Sequence, residues 1–381
     1  FFAPSMTVSE VPVGALACQQ DSFLKELTTR VISCTEVKDK KKKAYEIVLQ
    51  DTVLFPEGGG QPFDLGCIGD VAVTNVQRRG TQAIHTTSAP LLEGEEVRVA
   101  VDWDRRLDHM QQHTGQHLIT AVAEAECGFK TECWHMSSQG SSYIQMGARE
   151  ISAEQLARIE ARCNDLILAQ TPVTVVVSDD ARHDPRIRVA DVGLPEDMEG
   201  PIRVVDIAGV DQNLCCGTHV QTLGQLQLVK LLHTESNKGS TLVHFVAGER
   251  ALEQLARSHA HSRAMSKVLN GLAIEKQASL VEGIRNDNTK FTKVNKKYGL
   301  ELAGYVARDL IAAIQPAEYE GKPFLWHRDD VTPEFLQTIA EGLLKAHPTL
   351  VAVLTCGAPK DNDLQFIVSG PAEQVAAVGP K

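Results

Sequence analysis

The chain has 381 residues, of which 43% are hydrophobic and 23% are charged, and its formal net charge at pH 7 is −11. A single hydrophobic core stops growing at roughly 250–300 residues, so this length predicts two or three domains. The acidic balance excludes a uniformly basic coat for nucleic acid, and no stretch approaches the roughly 18 uninterrupted apolar residues of a membrane span.

The N-terminus and the cysteines indicate where the protein works. The opening residues, FFAPSMTVSEVPVGALACQQ, lack a basic leader and predict no signal peptide. We interpret residues 1–24 as a tail, native or added, that lies outside the core. Nine cysteines at irregular spacing indicate reduced thiols rather than a disulfide framework, which favours a cytoplasmic protein.

Residues 25–104 predict a β-barrel. Two runs rich in β-branched residues, ELTTRVISCTEV and KKAYEIVLQDTVLF, are typical of strands. Three shorter strands, in GDVAVTNVQRRG, TQAIHTTSAP and EEVRVAVDW, follow with turn signals between them. Short strands at such spacing favour a small barrel.

Residues 105–250 mix helices and strands. DHMQQHTGQHLITAV has apolar residues at helical spacing, and SAEQLARIEARCNDLILAQ begins with Ser152 as a helix N-cap. Strands are predicted in SSYIQMGA, TPVTVVVSD, IRVVDIAG, LQLVKLLHTES and STLVHFVAG. Helices beside such strands predict an α+β domain.

Residues 251–381 predict a helical stretch and then a small α/β unit. TPEFLQTIAEGLLKAHP is a predicted helix, and VAVLTCGAPKDNDLQFIVSG contains two predicted strands. Between residues 255 and 300 basic residues outnumber acidic ones, either as a phosphate-binding patch or as an ordinary solvated helix face. These basic residues are Arg257, Arg263, Lys267, Lys276, Arg285, Lys290, Lys293, Lys296 and Lys297.

Two pairs of candidate metal ligands lie far apart in the chain. His113 and His117 are one helical turn apart, which sets their side-chain bases roughly 5–6 Å from each other. Cys215 and His219 form the second pair, and Cys216 is a weaker candidate. Three imidazoles and a thiolate suit a tetrahedral Zn²⁺ site. A zinc ion that only staples the fold, or no metal at all, is the alternative.

The other histidines lack paired ligand spacing. His109 lies one turn before His113 and is expected at the surface, although it could instead contact a ligand from behind. The remaining ones are expected to be structural or solvent-exposed, and they are His85, His135, His183, His233 and His244.

Three ordered motifs carry a resemblance to a known family. HTGQH, CCGTH and the preceding FPEGGGQPFDLG resemble the editing module of alanyl-tRNA synthetase and, more specifically, the freestanding alanyl-tRNA editing proteins, the AlaX family, in its long form. The resemblance covers residues 25–250, and the part after residue 250 is more loosely similar to the long form's C-terminal extension. It implies zinc ligands at His113, His117, Cys215 and His219.

The predicted fold class is therefore α+β. It comprises an N-terminal β-barrel with a Gly-rich loop in residues 25–104, an α+β zinc-binding editing domain in residues 105–250, and a C-terminal helical stretch with a small α/β unit in residues 251–381.

The resemblance also implies a reaction. It is hydrolysis in trans of the ester that joins serine to alanine tRNA, with Zn²⁺ as cofactor, mischarged tRNA(Ala) as partner and a functional link to alanyl-tRNA synthetase. No membrane partner is implied. Gln116 stands where the synthetase module commonly has threonine, and we expect it to be the catalytic residue that steers water or substrate. Cys216 stands where the module has glycine, so a second thiol lies beside the predicted ligand.

Substrate-binding residues are predicted on the barrel. Three successive glycines permit close approach of backbone amides to a ribose, a phosphate or the aminoacyl group, although three glycines alone favour an ordinary tight turn. Their position beside the other two motifs favours substrate binding. For the strand residues in this set, a core-facing role is the alternative. The set is Gly58, Gly59, Gly60 and Gln61 on the loop, with Thr29 and Arg30 on the first strand.

Two other functions stay open. The same fold could hold tRNA or a protein partner around a purely structural zinc ion, without turnover. A zinc hydrolase of small esters or amides, without tRNA, is a further alternative, against which the basic residues after 255 argue modestly.

An editing site would discriminate by bonding the seryl hydroxyl, because a site built for that group rejects the analogue lacking it by about 10⁴-fold.

Overall fold

A computed structural model describes residues 10–38, 43–178, 184, 187–188, 202–358 and 364–378 of the chain. These residues form a mixed α+β structure, which confirms the predicted fold class. Two compact units are present, Phe1–His261 and Ser262–Lys381. The finer domain limits, after residues 104 and 250, stay predictions.

The first unit contains the predicted antiparallel barrel. Its strands are β1 (Glu26–Lys38), β2 (Lys43–Leu49), β3 (Gly66–Ile68), β4 (Val71–Arg79), β5 (Gln82–Thr87) and β6 (Glu96–Val101). They close in the order β1-β2-β5-β4-β3-β6. Because strands present alternate residues to the core, Ile47, Ile68 and Val99 are fully buried inside the barrel.

The segment before the barrel belongs to the barrel core, so the prediction of a tail over residues 1–24 is wrong for residues 10–24. Leu16 and Cys18 are 2% and 0% exposed and pack among the buried residues of the barrel. A short helix, α1 (Ala17–Gln20), follows Leu16. A run this short has no periodicity from which its burial can be inferred.

A 25-residue helix, α2 (Trp103–Cys127), follows the barrel. The Asp102 side chain caps its N-terminus by accepting a hydrogen bond from the backbone N–H of Arg105 at 3.3 Å. Gly128 ends it in the left-handed conformation that favours glycine. Residues 109–123 of α2 are all buried, so the helix is enclosed on every side.

Two sheets and one helix pack around α2. Helix α3 (Ala153–Leu168) begins at the predicted N-cap, Ser152, whose hydroxyl accepts from the Gln155 backbone N–H at 3.2 Å. The strands are β7 (Thr131–His135), β8 (Ser142–Met146), β9 (Val173–Ser178), β10 (Ile202–Ile207), β11 (Asp211–Leu214), β12 (Val229–Asn237) and β13 (Ser240–Ala247). One sheet has the order β12-β13-β8-β7 and the other β11-β10-β9.

A buried ion pair fastens α2 to the barrel. Arg106 and Asp64 are both 0% exposed, and Arg106 Nε donates to Asp64 Oδ2 at 2.9 Å. Arg106 Nη1 also donates to the Ser22 carbonyl at 3.0 Å, while Asp64 Oδ2 accepts from the Phe55 backbone N–H at 2.7 Å. Because buried charges are tolerated only with such partners, this pair fixes the position of the helix against the barrel.

The second unit contains a long helix and the predicted small α/β part. Helix α4 (Glu249–Val268) ends the first unit and enters the second. The later elements are α5 (Ile274–Ala313), β14 (Phe324–Arg328), α6 (Pro333–Ala346), β15 (Ala352–Cys356), β16 (Gln365–Ser369) and α7 (Ala372–Val378). Strand β14 is an addition to the two strands predicted, and it pairs in parallel with β15, which pairs with β16 in antiparallel fashion. None of the helices in the described residues has the length and apolar character needed to cross a membrane.

His85 lies inside the barrel with both ring nitrogens hydrogen-bonded. Its Nδ1–H donates to the Ile47 carbonyl at 3.2 Å, and its Nε2 accepts from the Thr52 hydroxyl at 2.9 Å. Burial lowers the pKa of His85 from 6.5 to about 4. The folded protein therefore keeps this ring neutral at pH values at which an unfolded chain protonates it.

We expect acid to destabilise the protein partly through His85. As the pH falls from 7 to 5, the unfolded state binds a proton on this ring first, which removes about 2 kcal/mol from the free energy of unfolding. His85→Gln should lack this part of the loss, while His259→Gln, at an exposed position, should keep it. Urea unfolding at the two pH values measures the difference, and equal losses in wild type and His85→Gln would contradict the prediction.

Candidate functional site

Four side chains from two distant segments converge on one point. Helix α2 carries His113 and His117, and the loop after β11 carries Cys215 and His219. Each side chain offers one potential ligand atom, and these four atoms all lie within 4.8 Å of one another. Cys215 Sγ is 3.3 Å from the Nε2 atoms of both His113 and His219. The structure thus brings together all four side chains that the sequence singled out as ligands.

The donor set and its burial fit a metal ion. Both ring nitrogens of His117 are buried and lack a hydrogen-bond partner among the described residues. Leaving buried polar atoms unpaired costs about 1–3 kcal/mol each, and a cation at this point would remove that cost for the nitrogen that binds it. The imidazoles of His113 and His219 lie with ring centroids 4.5 Å apart, so two protonated rings would repel each other. A thiolate and three neutral imidazoles are a typical zinc-binding set.

Burial sets the protonation of the four groups. Burial is the main cause of the low pKa values of the three imidazoles. The pKa values of His113 and His219 lie well below 6.5, and that of His117 is lowered to about 4. Neutral imidazoles offer lone pairs to a cation. Burial, followed by the neighbouring Cys216, raises the pKa of the Cys215 thiol to about 12. A cation bound here would therefore displace the proton of Cys215.

Two polar side chains orient the histidine rings from behind. Gln61 Oε1 can only accept, so the Nδ1 of His113, 2.9 Å away, is the protonated nitrogen. The same oxygen accepts from the Thr218 backbone N–H at 3.0 Å, and Gln61 Nε2 donates to the Thr218 hydroxyl at 2.8 Å. On the other ring, His219 Nδ1 lies 3.1 Å from the Thr114 hydroxyl. Each ring is thereby held with its Nε2 towards Cys215.

Gln61→Ala is expected to weaken metal binding about 10- to 100-fold, because His113 would lose the acceptor that fixes its tautomer and orientation. Competition for the metal against a chelator of known affinity measures the change. Gln77→Ala, at an exposed position on the barrel, is the matched control and should bind as wild type. Unchanged affinity in Gln61→Ala would show that the ring is held by other contacts.

The loop that carries Cys215 is packed tightly against its surroundings. A Cβ atom at Gly217 would lie 2.3 Å from Cε1 of His113, so only glycine lets the backbone approach this ring. Arg203, 2% exposed, donates through Nη1 to the Gly217 carbonyl at 2.9 Å and through Nη2 to the Gln19 carbonyl at 2.7 Å. Gln19 Nε2 donates to the Cys216 carbonyl at 3.0 Å. Sequence reasoning missed Arg203, which lies within the apolar strand β10.

The N-terminal segment makes one more contact with this loop. The backbone N–H of His219 donates to the hydroxyl of Ser22 at 3.3 Å. Together with the contacts of Gln19, this bond ties residues 10–24 to the loop that carries two of the four candidate ligands.

The Gly-rich loop is a tight turn that lies beside the centre. Gly58 and Gln61 exchange two backbone hydrogen bonds of 3.1 Å, and Gly59 and Gly60 have φ values of 61° and 81°. Such values at both central residues favour glycine. A Cβ at Gly60 would come within 2.8 Å of the Trp134 ring, whose centroid is 4.9 Å from that of His113. The loop therefore forms the predicted turn and lies next to the side chains of the four candidate ligands.

Cys216 faces away from the cluster. Its sulfur packs with the barrel core, and a Cβ at Gly59 would lie 3.1 Å from it. Burial raises the pKa of the Cys216 thiol. Within the part of the chain that the structure describes, the convergent set includes Cys215 and leaves Cys216 out.

The other predicted site residues are Gln116 on α2 and Thr29 and Arg30 on β1. Gln116 is 5% exposed, its Nε2 donates to the Thr120 hydroxyl at 3.0 Å, and its Oε1 is buried without a partner among the described residues. Thr29 is 7% exposed, and its hydroxyl accepts from the Asp51 backbone N–H at 3.1 Å. Arg30 is exposed. The hydrogen bonds of the described residues join neither Thr29 nor Arg30 to the four ligand side chains.

The prediction of a surface position for His109 is wrong. This ring is 1% exposed, and burial lowers its pKa to about 3. His85 is buried in the barrel, while His135 and His233 are exposed and His244 is partly exposed. His183 lies outside the described residues.

Residues 202–243, which include Cys215 and His219, match the family described as "Threonyl and Alanyl tRNA synthetase second additional domain". The metal-ligand loop and its flanking strands are therefore similar to an accessory domain of these two tRNA synthetases.

Relatives that align with nearly the whole chain identify its protein family. The chain is 41% identical over 379 residues to the alanyl-tRNA editing protein Aarsd1 of Mus musculus, covering 96% of this chain and 89% of that protein. It is 28% identical to the putative alanyl-tRNA editing protein alaX of Saccharomyces cerevisiae, covering 97% and 88%. Identity to the alanine–tRNA ligase of Pyrococcus abyssi is 30%, over 91% of this chain and 38% of the ligase. The chain belongs to the alanyl-tRNA editing protein family.

Proposed function

We propose that the protein is a trans-editing hydrolase that deacylates seryl-tRNA(Ala) in the cytoplasm and so supports the fidelity of alanyl-tRNA synthetase. The observation that carries the proposal is the convergence of His113, His117, Cys215 and His219 in a chain of this family. Hydrolysis adds water across the ester bond and releases serine and tRNA(Ala). The aminoacyl ester is already activated, so the protein mainly positions it and its water.

Zn²⁺ is the proposed cofactor, held by these four side chains. Positive charge at this point polarises an ester carbonyl or acidifies a water molecule. The chain's own contribution is to hold the imidazoles neutral and oriented through Gln61 and Thr114. Burial of the three imidazoles, beside a partly exposed Cys215, also limits the screening of the charge by bulk water.

Gln116 is the proposed catalytic residue. It precedes His117 on α2, and its Oε1 is a buried acceptor without a partner among the described residues. That oxygen can accept a hydrogen bond from the attacking water or from the substrate's ammonium group. Its amide nitrogen is held by Thr120, which fixes the orientation of the acceptor.

Substrate selection is proposed to depend on the seryl hydroxyl. A site that bonds this group rejects alanine, which lacks it, by about 10⁴-fold. The turn of Gly58, Gly59, Gly60 and Gln61 forms the proposed wall for the aminoacyl end, with Thr29 and Arg30 as further candidates on β1. The turn's closeness to Trp134 and His113 supports this role.

Exposed basic residues on α4 and α5 are proposed to contact tRNA phosphates. Helix α5 exposes Arg285, Lys290, Lys293 and Lys297, among others. Phosphate contacts release counterions, so binding through this surface should weaken steeply as salt increases.

A deacylation assay tests the proposal. Seryl-, glycyl- and alanyl-tRNA(Ala) are each incubated with the protein, with and without chelator. We expect serine to be released fastest, glycine more slowly and alanine least, with loss of activity in chelator that added Zn²⁺ restores. Equal rates for the three substrates, or no release of serine, would overturn the proposal.

One observation favours a second candidate, a tRNA-binding module with a purely structural zinc ion. His113, His117 and His219 are 1%, 5% and 3% exposed, so the three imidazoles are enclosed, as the ligands of structural sites are, beside a partly exposed Cys215. This candidate predicts tRNA binding without turnover, and loss of folding stability rather than of catalysis when the metal is removed. The deacylation assay together with thermal unfolding in chelator separates the two functions.

A further inference from the structure

A second group of metal-ligating side chains lies on the sheet formed by β12, β13, β8 and β7. His233 and Glu235 on β12 and His244 on β13 each present a ligand atom within 4.8 Å of the others. The inner face of this sheet packs against α2 through buried residues such as Ile144 and Phe245. The group lies on the outer face, so the sheet separates it from the buried cluster.

A β-bulge brings His233 and Glu235 to the face of the sheet that carries His244. Leu231 pairs with Phe245 and Thr234 with Val243, so three residue steps on β12 match two on β13. Regular alternation from the buried Leu231 would turn His233 towards the core. The extra residue reverses that alternation, and His233 and Glu235 are both 57% exposed on the outer face. Bulges re-aim side chains in this way, often at functional sites.

The distances within the group suit a shared cation. Glu235 Oε1 lies 3.5 Å from Nε2 of His233 and 3.6 Å from Nε2 of His244. Ligand atoms that bind a tetrahedral zinc ion at about 2.0–2.1 Å are about 3.3 Å apart, so the distances from Glu235 to the two rings require only a small closure. The two rings lie parallel, with centroids 4.3 Å apart and planes 9° apart, so at least one ring has to rotate before both lone pairs point at one ion.

His244 has the environment of a metal-bound histidine. Its Nδ1 is 3.2 Å from the hydroxyl of Ser141, an outer contact that orients the ring. Its Nε2 is buried and has no hydrogen-bond partner among the described residues. Burial and the neighbouring His233 lower the pKa of His244, which favours the neutral ring.

We propose that His233, Glu235 and His244 form a second metal site, which takes a divalent ion of the late first transition row such as Zn²⁺. Two imidazoles and a carboxylate match the ligand preference of these ions. Three protein ligands leave a coordination position for water or for an anionic group from outside. The site is independent of the buried cluster and of the reaction proposed there.

Titration calorimetry of the full chain tests the site. ZnCl₂ is added to protein pre-equilibrated with one molar equivalent of Zn²⁺. We expect wild type to bind one further equivalent, and His233→Ala and His244→Gln to bind it about tenfold or more weakly. His135→Ala is the matched control, because His135 is an exposed histidine on β7 of the same sheet and outside the group.

Cobalt absorption distinguishes the two sites. Co²⁺ bound through Cys215 gives strong near-ultraviolet thiolate bands, whereas Co²⁺ held by two imidazoles and a carboxylate gives only weak visible bands. Loss of the weak bands alone in His233→Ala supports the proposal. No second equivalent in wild type, or wild-type binding in both His233→Ala and His244→Gln, shows that the three groups form only a surface ion pair and overturns it.

Discussion

Cys215→Ala is expected to lose the bound metal and to lower kcat/KM for seryl-tRNA(Ala) deacylation by about 10³-fold or more. That loss corresponds to about 4 kcal/mol of transition-state stabilisation. Cys215 offers the only sulfur of the convergent set, 3.3 Å from the Nε2 of His113 and of His219, and the only ligand that becomes an anion. Metal content by mass spectrometry and single-turnover deacylation measure the two effects.

Two other cysteines provide the controls for this prediction. Cys133→Ala, at an exposed position on β7, should leave both metal content and rate unchanged. Cys216→Ala should keep the metal, because the Cys216 sulfur packs with the barrel core. Metal lost from Cys216→Ala but retained in Cys215→Ala would reverse the assignment of the ligand.

Arg106→Leu is expected to lower the free energy of unfolding by about 3–5 kcal/mol. Removing the guanidinium leaves Asp64, which is 0% exposed, as an unpaired buried charge. Adding Asp64→Asn should recover part of the loss, because the amide is neutral and its oxygen can still accept from the Phe55 backbone N–H. Urea unfolding of the single and double variants measures both steps.

The exposed pair of Arg98 and Glu26 is the comparison for the buried pair. Their side chains are 66% and 49% exposed, and exposed ion pairs contribute little to stability because water screens the two charges. Arg98→Leu should therefore have a small effect. A loss in Arg106→Leu no larger than that in Arg98→Leu would contradict the role given to the buried pair.

Local patterns were sufficient for much of the fold. Runs of β-branched residues and turn signals predicted five of the six barrel strands, all but β3, and Ser152 correctly marked the start of α3, because these signals act over a few neighbouring residues. The burial of Leu16 and Cys18 could not be predicted, since it depends on a barrel formed later in the chain.

The burial of the polar residues of helix α2 could not be inferred from the sequence. Its many polar residues suggest a half-exposed helix, yet they find partners inside the protein. Gln112 exchanges hydrogen bonds with the Ala247 backbone at 2.9 and 3.0 Å, and Gln111 Nε2 donates to the Gln225 carbonyl at 2.9 Å. Only the tertiary structure supplies these partners, and the same limit explains why the burial of His109 was missed.

The candidate ligands could be predicted because their chemistry is distinctive. Imidazole and thiolate groups are the ligands that zinc sites use, so two such pairs at short spacing single out candidates. The roles of Gln61, Thr114 and Arg203 depend on contacts between residues separated by tens to hundreds of positions. An amide, a hydroxyl and a guanidinium have many structural uses, so sequence spacing alone does not identify them.

The contacts of the N-terminal segment have a practical consequence. Gln19 bonds to the Cys216 carbonyl and to Arg203, and Ser22 accepts from the backbone N–H of His219, so both residues hold the loop of Cys215 and His219. A protein shortened to begin at β1 would keep every candidate ligand. It would lose the contacts that hold the loop with two of the four ligands in place. We therefore expect truncation there to disturb the candidate metal centre, even though it removes none of the candidate ligands.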